Sequence, residues 1–227
     1  MPEINISGME DSVLLCETGN RNLSSFMIIM DRYLPMVSRI SYRIMCDRAD
    51  CVHITKAVFL ALWKSPSAFS TASSLRYEIV KRTCLLCRRR LFRRRLLMIF
   101  SITPEVYVMS RPSVPSLDEY VARQVWEIFC RASLNCSDRQ RVLFTLCELE
   151  GIDMMSAVSA GRFFPIDADV SLENARSRIR EELDLYGRQQ EYASYVAVLR
   201  KVEDQLADNV MLKRLILDDL AAFSAKS

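Results

Sequence analysis

Eight cations stand between residues 81 and 95 of this chain, and no acidic residue interrupts them. Arginine guanidinium groups bind phosphate oxygens through paired hydrogen bonds, and such contacts give nucleic-acid affinity that is independent of base sequence. Two other interpretations stay open: a solvated helix end whose cations favour the helix dipole, and a surface for anionic membrane or acidic protein. The favoured interpretation is a nucleic-acid contact made by Lys81, Arg82, Arg88, Arg89, Arg90, Arg93, Arg94 and Arg95.

A second pattern with chemical potential is the C-x2-C pair Cys84 and Cys87. Together with Cys46, Cys51 and His53 it offers the ligands of a Cys3His-type zinc site. A C-x2-C pair within an apolar helical stretch that lacks turn-forming glycine is more typical of core packing. We therefore predict that these cysteines are core residues and that the protein uses no metal or other cofactor.

The composition offers little for catalysis. The 227 residues include one histidine, His53, and five glycines, so a nucleophile–base pair and a phosphate-binding loop lack their usual residues. No pair of carboxylates stands at catalytic spacing. We therefore expect a protein that binds its partners and is not an enzyme.

Charge and hydropathy bound the class of protein further. Residues 1–110 carry 16 basic and 9 acidic side chains, whereas residues 111–227 carry 15 and 19. The excess of positive charge in the first half suits an anionic partner. The sequence has no apolar run of the roughly 18 residues that a membrane span needs, and its acidic N-terminus lacks a signal-peptide pattern. We expect a cytoplasmic protein whose thiols are reduced.

Apolar residues recur at spacings of three and four, which predicts an all-α fold of two small helical domains joined by a linker. Pro35 lies inside the first stripe and predicts a kink or a break. Ser137 and Ser171 are predicted helix N-caps, and Gly151 a C-cap.

The last segment has a long apolar stripe, so we expect it to pack across both domains or to hold a regulator. The predicted segments are a tail at 1–22, a helical domain at 23–100, a proline-rich linker at 101–116, a second helical domain at 117–187 and a helical extension at 188–227.

Four motifs, in this order, resemble the small two-domain sigma factors of bacterial RNA polymerase, of the extracytoplasmic-function type. The first runs from Tyr33-Leu34-Pro35 to a D-R-x-D turn at 47–50, and the second ends in V-F-L-A-L-W at 58–63. The third is R-Q-R-V-L-F-T-L at 139–146, followed by L-E-G. The fourth, S-L-E-N-A-R-S-R-I at 171–179, is similar to the recognition helix of the family.

The resemblance implies a transcription initiation factor with a region 2-like helical bundle and a region 4-like helix-turn-helix. The first domain would dock on core RNA polymerase and capture the melted promoter. The second would place a helix in the major groove of the upstream element. The implied partners are promoter DNA, core RNA polymerase and an anti-sigma protein. The implied contacts are the cation cluster with Ser171, Asn174, Arg176 and Arg178 for DNA, and Asp50, Thr55 and Phe59 for polymerase.

Two stretches depart from the family pattern. The second helix of the family usually opens with acidic residues and a glutamine, where this chain has an apolar and basic stretch at 52–57. The turn before the recognition helix is lengthened here to residues 161–169. Two alternatives therefore stay open. One is a degenerate sigma-like DNA- or protein-binding regulator that does not dock on polymerase. The other is a helical scaffold that binds anionic membrane or acidic protein.

Overall fold

A computed structural model describes residues 10–70, 73–99, 117–185, 192–201 and 209–224. Within these ranges the chain forms ten α-helices and no strand, which confirms the predicted all-α class. The linker predicted at 101–116 lies outside the described residues. The helices are α1 (Asp11–Gly19), α2 (Leu23–Met45), α3 (Arg48–Lys64), α4 (Leu75–Ile99), α5 (Leu117–Leu134), α6 (Asp138–Leu143), α7 (Met154–Gly161), α8 (Ala168–Leu185), α9 (Tyr192–Lys201) and α10 (Asn209–Ser224).

Part of the predicted N-terminal tail is helical, which corrects that expectation for residues 11–19. Helix α1 packs on α2 and buries Leu14, Leu15 and Thr18. The carboxylate of Asp11 accepts hydrogen bonds from Arg32 and Tyr33 of α2. Sequence periodicity missed this helix because it has about two turns and its apolar residues stand next to one another.

Helix α2 is the central helix of the first half. Asn22 begins it by accepting hydrogen bonds from the backbone amides of Ser24 and Ser25. The helix continues through Pro35 to Met45, so the chain does not divide into two helices there. An interior proline costs about 3 kcal/mol, and packing of α2 against α1, α3 and α4 offsets that cost.

Aromatic contacts fasten α3 to α2. The side chain of Asp47 caps α3 by accepting from the amide of Asp50. The Phe26 ring of α2 meets Phe59 and Trp63 edge-on, with ring centroids 6.5 and 5.1 Å apart. Edge-on aromatic pairs favour this geometry and add to the burial of apolar area. A 3₁₀ turn at Pro66–Phe69 follows α3.

The second half is built around α5, α6 and α8. Ser137 caps α6 as predicted and forms a capping box with Gln140. Helix α6 continues into a π-helical segment at Phe144–Leu149. Gly151 follows the end of this segment and has a left-handed backbone conformation, with a φ of 66°, as expected of a residue that terminates a helix. Helix α8 begins before its predicted cap, because the chain turns at Asp167 (φ 62°) and the Ser171 amide already donates to the Asp167 carbonyl.

The segments predicted as separate domains share one hydrophobic core. Helix α4 packs on α7, and α2 packs on the π-helical segment. The ring of Tyr42 on α2 stacks on Trp126 of α5, with centroids 4.7 Å apart and planes 10° apart. The Glu150 carboxylate accepts hydrogen bonds from Arg39 and Arg43 of α2. Apolar, aromatic and charged contacts therefore all join the two halves.

The C-terminal extension contacts both halves, as its apolar stripe predicts. Helix α9 packs on α5 and the π-helical segment, whereas α10 packs on α2 and α3. Ile216 of α10 is fully buried. Lys56 of α3 pairs with Asp219 of α10 at 2.7 Å, and Lys213 pairs with Asp31 of α2 at 2.6 Å. No helix in the described ranges is both long and apolar enough to cross a membrane.

Candidate nucleic-acid interface

Helix α4 carries all eight cations of the predicted cluster. One face of this helix is buried through Ile79, Val80, Cys84, Cys87 and Leu91. Because that face is occupied by the core, the basic side chains are distributed around the rest of the helix. Their surroundings differ, so the cluster divides into pairs with distinct roles.

Lys81 and Arg82 make local contacts near the start of the helix. Lys81 Nζ lies 3.2 Å from an oxygen of Glu78, one turn earlier, and 5.8 Å from the ring centroid of Tyr77. The Arg82 guanidinium lies 5.3 Å from the ring centroid of Phe69. Both side chains are half-buried and already have a local partner. Each would have to give up that contact in order to bind a phosphate.

Arg90 and Arg94 are charge-balanced by the N-terminus of α3. Arg90 Nε donates to Asp50 Oδ1 at 2.6 Å. Arg94 pairs with Asp47 at 3.0 Å and also contacts Asp50. The Asp50 side chain is 1% exposed, and a buried carboxylate needs paired cations. Arg90 and Arg94 therefore stabilise a buried carboxylate, and their predicted contact with phosphate stays a prediction.

Arg88 and Arg95 tie α4 to the second half. Arg88 donates to the backbone carbonyl of Gly161, and its guanidinium lies 4.4 Å from the ring centroid of Phe163. Arg95 pairs with Asp138 of α6 at 2.5 Å. These two arginines bridge the halves in this conformation.

Arg89 and Arg93 have no hydrogen bond, ion pair or ring contact within the part of the chain that the structure describes, and both are exposed. Residues 89, 92, 93, 96 and 97 follow one helix face at spacings of three and four. Phe92 is 58% exposed, and Leu96 and Leu97 are each 40% exposed. We call these five residues the arginine stripe. Sequence reasoning grouped the arginines and missed the three apolar members, although their helical spacing is visible in the sequence.

Helix α8, predicted as the recognition helix, is anchored by one face. Leu172, Ala175, Ile179 and Leu183 are buried. Helices α5, α6 and α7, together with the π-helical segment, pack against α8. The opposite face is open to solvent, as a helix that reads DNA requires.

The predicted DNA-contacting residues of α8 differ in availability. Asn174 is exposed, and Ser171 is half-buried within the first turn. Arg176 pairs with Glu148 and with Glu173, the latter at 3.0 Å. Arg178 donates to the carbonyl of Asn135 at the end of α5. Asn174 alone of these four thus combines exposure with no partner in the described residues, whereas both arginines already have protein partners.

An open groove of about 560 Å³ runs along the outer face of α8. Asn135 and Gln140 border one side, and Asn174, Ser177 and Arg178 border the other. Glu181 and Glu182 close its C-terminal end. The groove is therefore polar and carries both signs of charge.

The residues predicted to contact polymerase are all buried. Thr55 and Phe59 are fully buried in the core of the first half, and Asp50 is held by the arginines of α4. Their predicted role in polymerase contact stays a prediction, and these side chains are not on the surface in the structure. All three residues lie on α3. They belong to the apolar face of that helix, which packs into the core.

The cysteines of the C-x2-C pair are core residues, as predicted. Cys84 and Cys87 are fully buried on α4. Burial raises the pKa of the Cys84 thiol to about 12 and that of Cys87 well above its usual range. In the described ranges, no group of three or more His, Cys, Asp or Glu side chains is placed to hold a metal ion. Cys51 contacts the hydroxyl of Ser41 and the carbonyl of Ser38.

Comparison of the whole chain with known protein families and with curated proteins finds no match in either set.

Proposed function

We propose that the protein is a sigma-like transcription initiation factor whose arginine stripe binds nucleic acid. The observation that carries the proposal is the exposed face of α4. There the guanidinium groups of Arg89 and Arg93, which have no partner among the described residues, lie beside the exposed ring of Phe92. The order of the four sequence motifs supports the same proposal. The protein acts by binding, and no catalytic step is assigned to it.

The stripe suits single-stranded nucleic acid better than a duplex. Arg89 and Arg93 lie one turn apart, and each can bind a phosphate of the same strand. Phe92 lies beside them, and an exposed aromatic ring stacks on an unpaired base of any type. Leu96 and Leu97 extend the apolar part of the surface. A melted promoter strand offers both phosphates and unstacked bases.

Helix α8 contributes selectivity more than affinity in this proposal. The helix Ala168–Leu185 carries five acidic and three basic residues, so it attracts phosphate weakly. Asn174 is exposed on its outer face, and an asparagine amide can pair with the edge of adenine. The stripe on α4 then supplies the charge that α8 lacks.

Polymerase docking would use the outer side chains of α3. The inner ones, including Asp50, Thr55 and Phe59, are buried. Helix α10 covers part of α3, where Asp219 pairs with Lys56. In this proposal core polymerase and α10 compete for the same helix.

The decisive experiment is run-off transcription with bacterial core RNA polymerase, the full chain and fragmented genomic DNA of the source organism. We expect discrete transcripts from the wild-type chain and their loss in the Arg89→Gln/Arg93→Gln variant. The matched control is Arg162→Gln/Arg214→Gln, which removes the same charge from two exposed arginines elsewhere. Absence of core binding at low salt would overturn the polymerase part of the proposal, and a bound oligonucleotide would then assign the protein to the regulators that act without polymerase.

A second candidate function is favoured by the apolar members of the stripe. Phenylalanine and leucine beside arginine are also the composition of helices that lie on anionic membranes. Flotation with vesicles containing anionic phospholipid, beside vesicles of neutral phospholipid, separates the two functions. Binding to anionic vesicles that single-stranded DNA does not displace would favour the membrane.

A further inference from the structure

A second open groove, of about 590 Å³, lies between the π-helical segment, α7 and the start of α8. It shares no lining residue with the groove along the outer face of α8. We call it the α7–α8 groove. Its lining includes Cys147 and Glu148 of the π-helical segment, Met154 of α7, and Asp169, Val170 and Glu173 of α8.

The α7–α8 groove carries negative charge. Three carboxylates line it, and Arg176 is the one cation among its lining residues. Arg176 is already paired with Glu148 and Glu173. Asp169 is exposed and has no ion pair within the described ranges, and Asp153, which caps α7 at this end, is exposed as well. A cation that approaches the groove therefore meets two carboxylates that no arginine neutralises.

The same groove exposes apolar side chains. Val170 is 57% exposed within it, and Met155 at the start of α7 is 65% exposed. Exposed apolar side chains rimmed by charge are typical of surfaces that bind another protein. The complementary partner has apolar side chains and cations side by side.

The arginine stripe of α4 has this composition. Arg89 and Arg93 are exposed cations, and Phe92 lies beside them with 58% of its surface exposed. Arginine and aromatic side chains are the commonest anchors of protein interfaces, where they fill pockets of the partner. Stripe and groove are both exposed in the same molecule, so one copy does not cover its own groove. A second copy can cover it.

We propose that the protein self-associates by placing the arginine stripe of one copy in the α7–α8 groove of another. Arg89 and Arg93 then face Asp153 and Asp169, while the Phe92 ring packs against Val170. The inference does not rest on the proposed function, since it uses only the charge and exposure of the two surfaces. It goes beyond nucleic-acid binding because it assigns a second copy of the chain as a partner.

The contact joins two different surfaces, which determines the kind of assembly. In a dimer, one stripe and one groove stay free, so further copies can add. Contacts of this type continue into open chains unless the rotation between copies closes a ring. Because opposite charges meet near solvent, salt weakens the contact. We therefore expect association that increases with protein concentration and decreases with ionic strength.

The test is sedimentation equilibrium of the full chain at low and high salt. Concentrations up to about 1 mM suffice for a contact with a Kd of that order. We expect the average mass of the wild-type chain to rise with concentration at low salt and to return to that of the monomer at high salt. Single-stranded DNA binding is measured on the same samples.

Two variants each remove one side of the contact. Arg89→Gln/Arg93→Gln removes the cations of the stripe, and Asp153→Asn/Asp169→Asn removes the carboxylates of the groove while leaving an amide oxygen that can still cap α7. Each variant alone should be a monomer. The matched control for the groove is Asp184→Asn/Asp218→Asn, which removes two exposed carboxylates elsewhere and should associate as the wild type does.

An equimolar mixture of the stripe variant and the groove variant gives the sharpest result. The stripe variant keeps an intact groove, and the groove variant keeps an intact stripe. The mixture should therefore form a one-to-one dimer and nothing larger, since the remaining stripe and groove are both disabled. Circular dichroism shows whether each variant is folded.

Three results would overturn the proposal. The first is a wild-type chain that stays monomeric at low salt over the whole concentration range. The second is a stripe or groove variant that associates as the wild type does, which would place the contact on another surface. The third is a mixture of the two folded variants that stays monomeric. A monomeric wild-type chain that binds single-stranded DNA would leave the proposed function standing, so the two failures are read separately.

Discussion

Arg43 on α2 donates to the carboxylate of Glu150 at 2.6 Å, and the two side chains are 1% and 5% exposed. Arg39 binds the same carboxylate through two nitrogens at 3.1 Å. The buried Glu150 carboxylate of the second half therefore pairs with two arginines of the first half, Arg39 and Arg43. Arg43 also reaches the carbonyl of Leu199, so α9 shares the same contact.

Glu150→Gln should destabilise the protein strongly. The amide keeps the shape of the side chain but removes the buried negative charge that Arg39 and Arg43 bind, which costs about 3–5 kcal/mol. The free energy of unfolding in urea measures this loss. The control is Asp31→Asn, which removes an exposed partner of Lys213 and should cost at most about 1 kcal/mol. Equal losses in the two variants would show that the buried cluster contributes no more than a surface pair.

Removing Arg89 and Arg93, which pair with no described residue, should weaken nucleic-acid binding with little effect on folding. For the Arg89→Gln/Arg93→Gln variant, we expect the slope of log K against log salt for a single-stranded oligonucleotide to fall by about 1.4, at about 0.7 for each phosphate contact. Fluorescence anisotropy at several salt concentrations gives the slope. Arg90→Gln should show the opposite pattern, a larger loss of stability than of affinity, because its partner Asp50 is buried. If Arg90→Gln changed the slope as much, the division of the cluster would be wrong.

Gly161→Ala should destabilise the loop between α7 and α8. A Cβ at residue 161 would overlap the ring of Phe163, so that ring must shift, and it is the ring that now contacts the Arg88 guanidinium. Overpacking of this kind costs about 1–3 kcal/mol. The control Gly19→Ala meets nothing within 4 Å and should leave the thermal midpoint unchanged or slightly raised. A Gly161→Ala protein as stable as Gly19→Ala would mean that the loop tolerates the shift.

Alkylation should distinguish Cys46 from Cys147 by its pH dependence. The pKa of Cys46 is lowered, chiefly by the hydrogen bond from Cys130, whereas burial raises that of Cys147 to about 11. Only the thiolate reacts, so the rate rises through the pKa and levels off above it. The iodoacetamide rate at Cys46 should therefore level off at a lower pH than at Cys147, as followed by mass spectrometry. A later plateau at Cys46 would contradict the assigned direction.

Local signals in the sequence predicted local structure well. Ser137 and Gln140 stand three residues apart before an apolar run, and they form the capping box that this spacing indicates. The buried Cys84 and Cys87 likewise follow from an apolar helix without glycine. Such features depend on neighbours within one turn, which the sequence displays directly.

Partners far apart in the chain were not predictable in the same way. Arg90 and Arg89 are neighbours of the same type, yet one is paired with Asp50, forty residues earlier, and the other is exposed without a partner in the described residues. The pairing depends on which face of α4 meets α3, and an all-round distribution of arginines does not reveal that face. The Glu150 cluster was missed for the same reason, since it joins positions more than a hundred residues apart.

The placement of α10 has a consequence for synthesis on the ribosome. A chain emerges from its N-terminus, so α2 and α3 are available long before residues 209–224 are translated. Their outer surface stays uncovered until α10 arrives with Leu212, Ile216 and Leu220, all buried in the finished molecule. The outer surface of α2 and α3 is therefore covered only after residues 209–224 have been made, and a chain that stalls before them would present that apolar surface to chaperones.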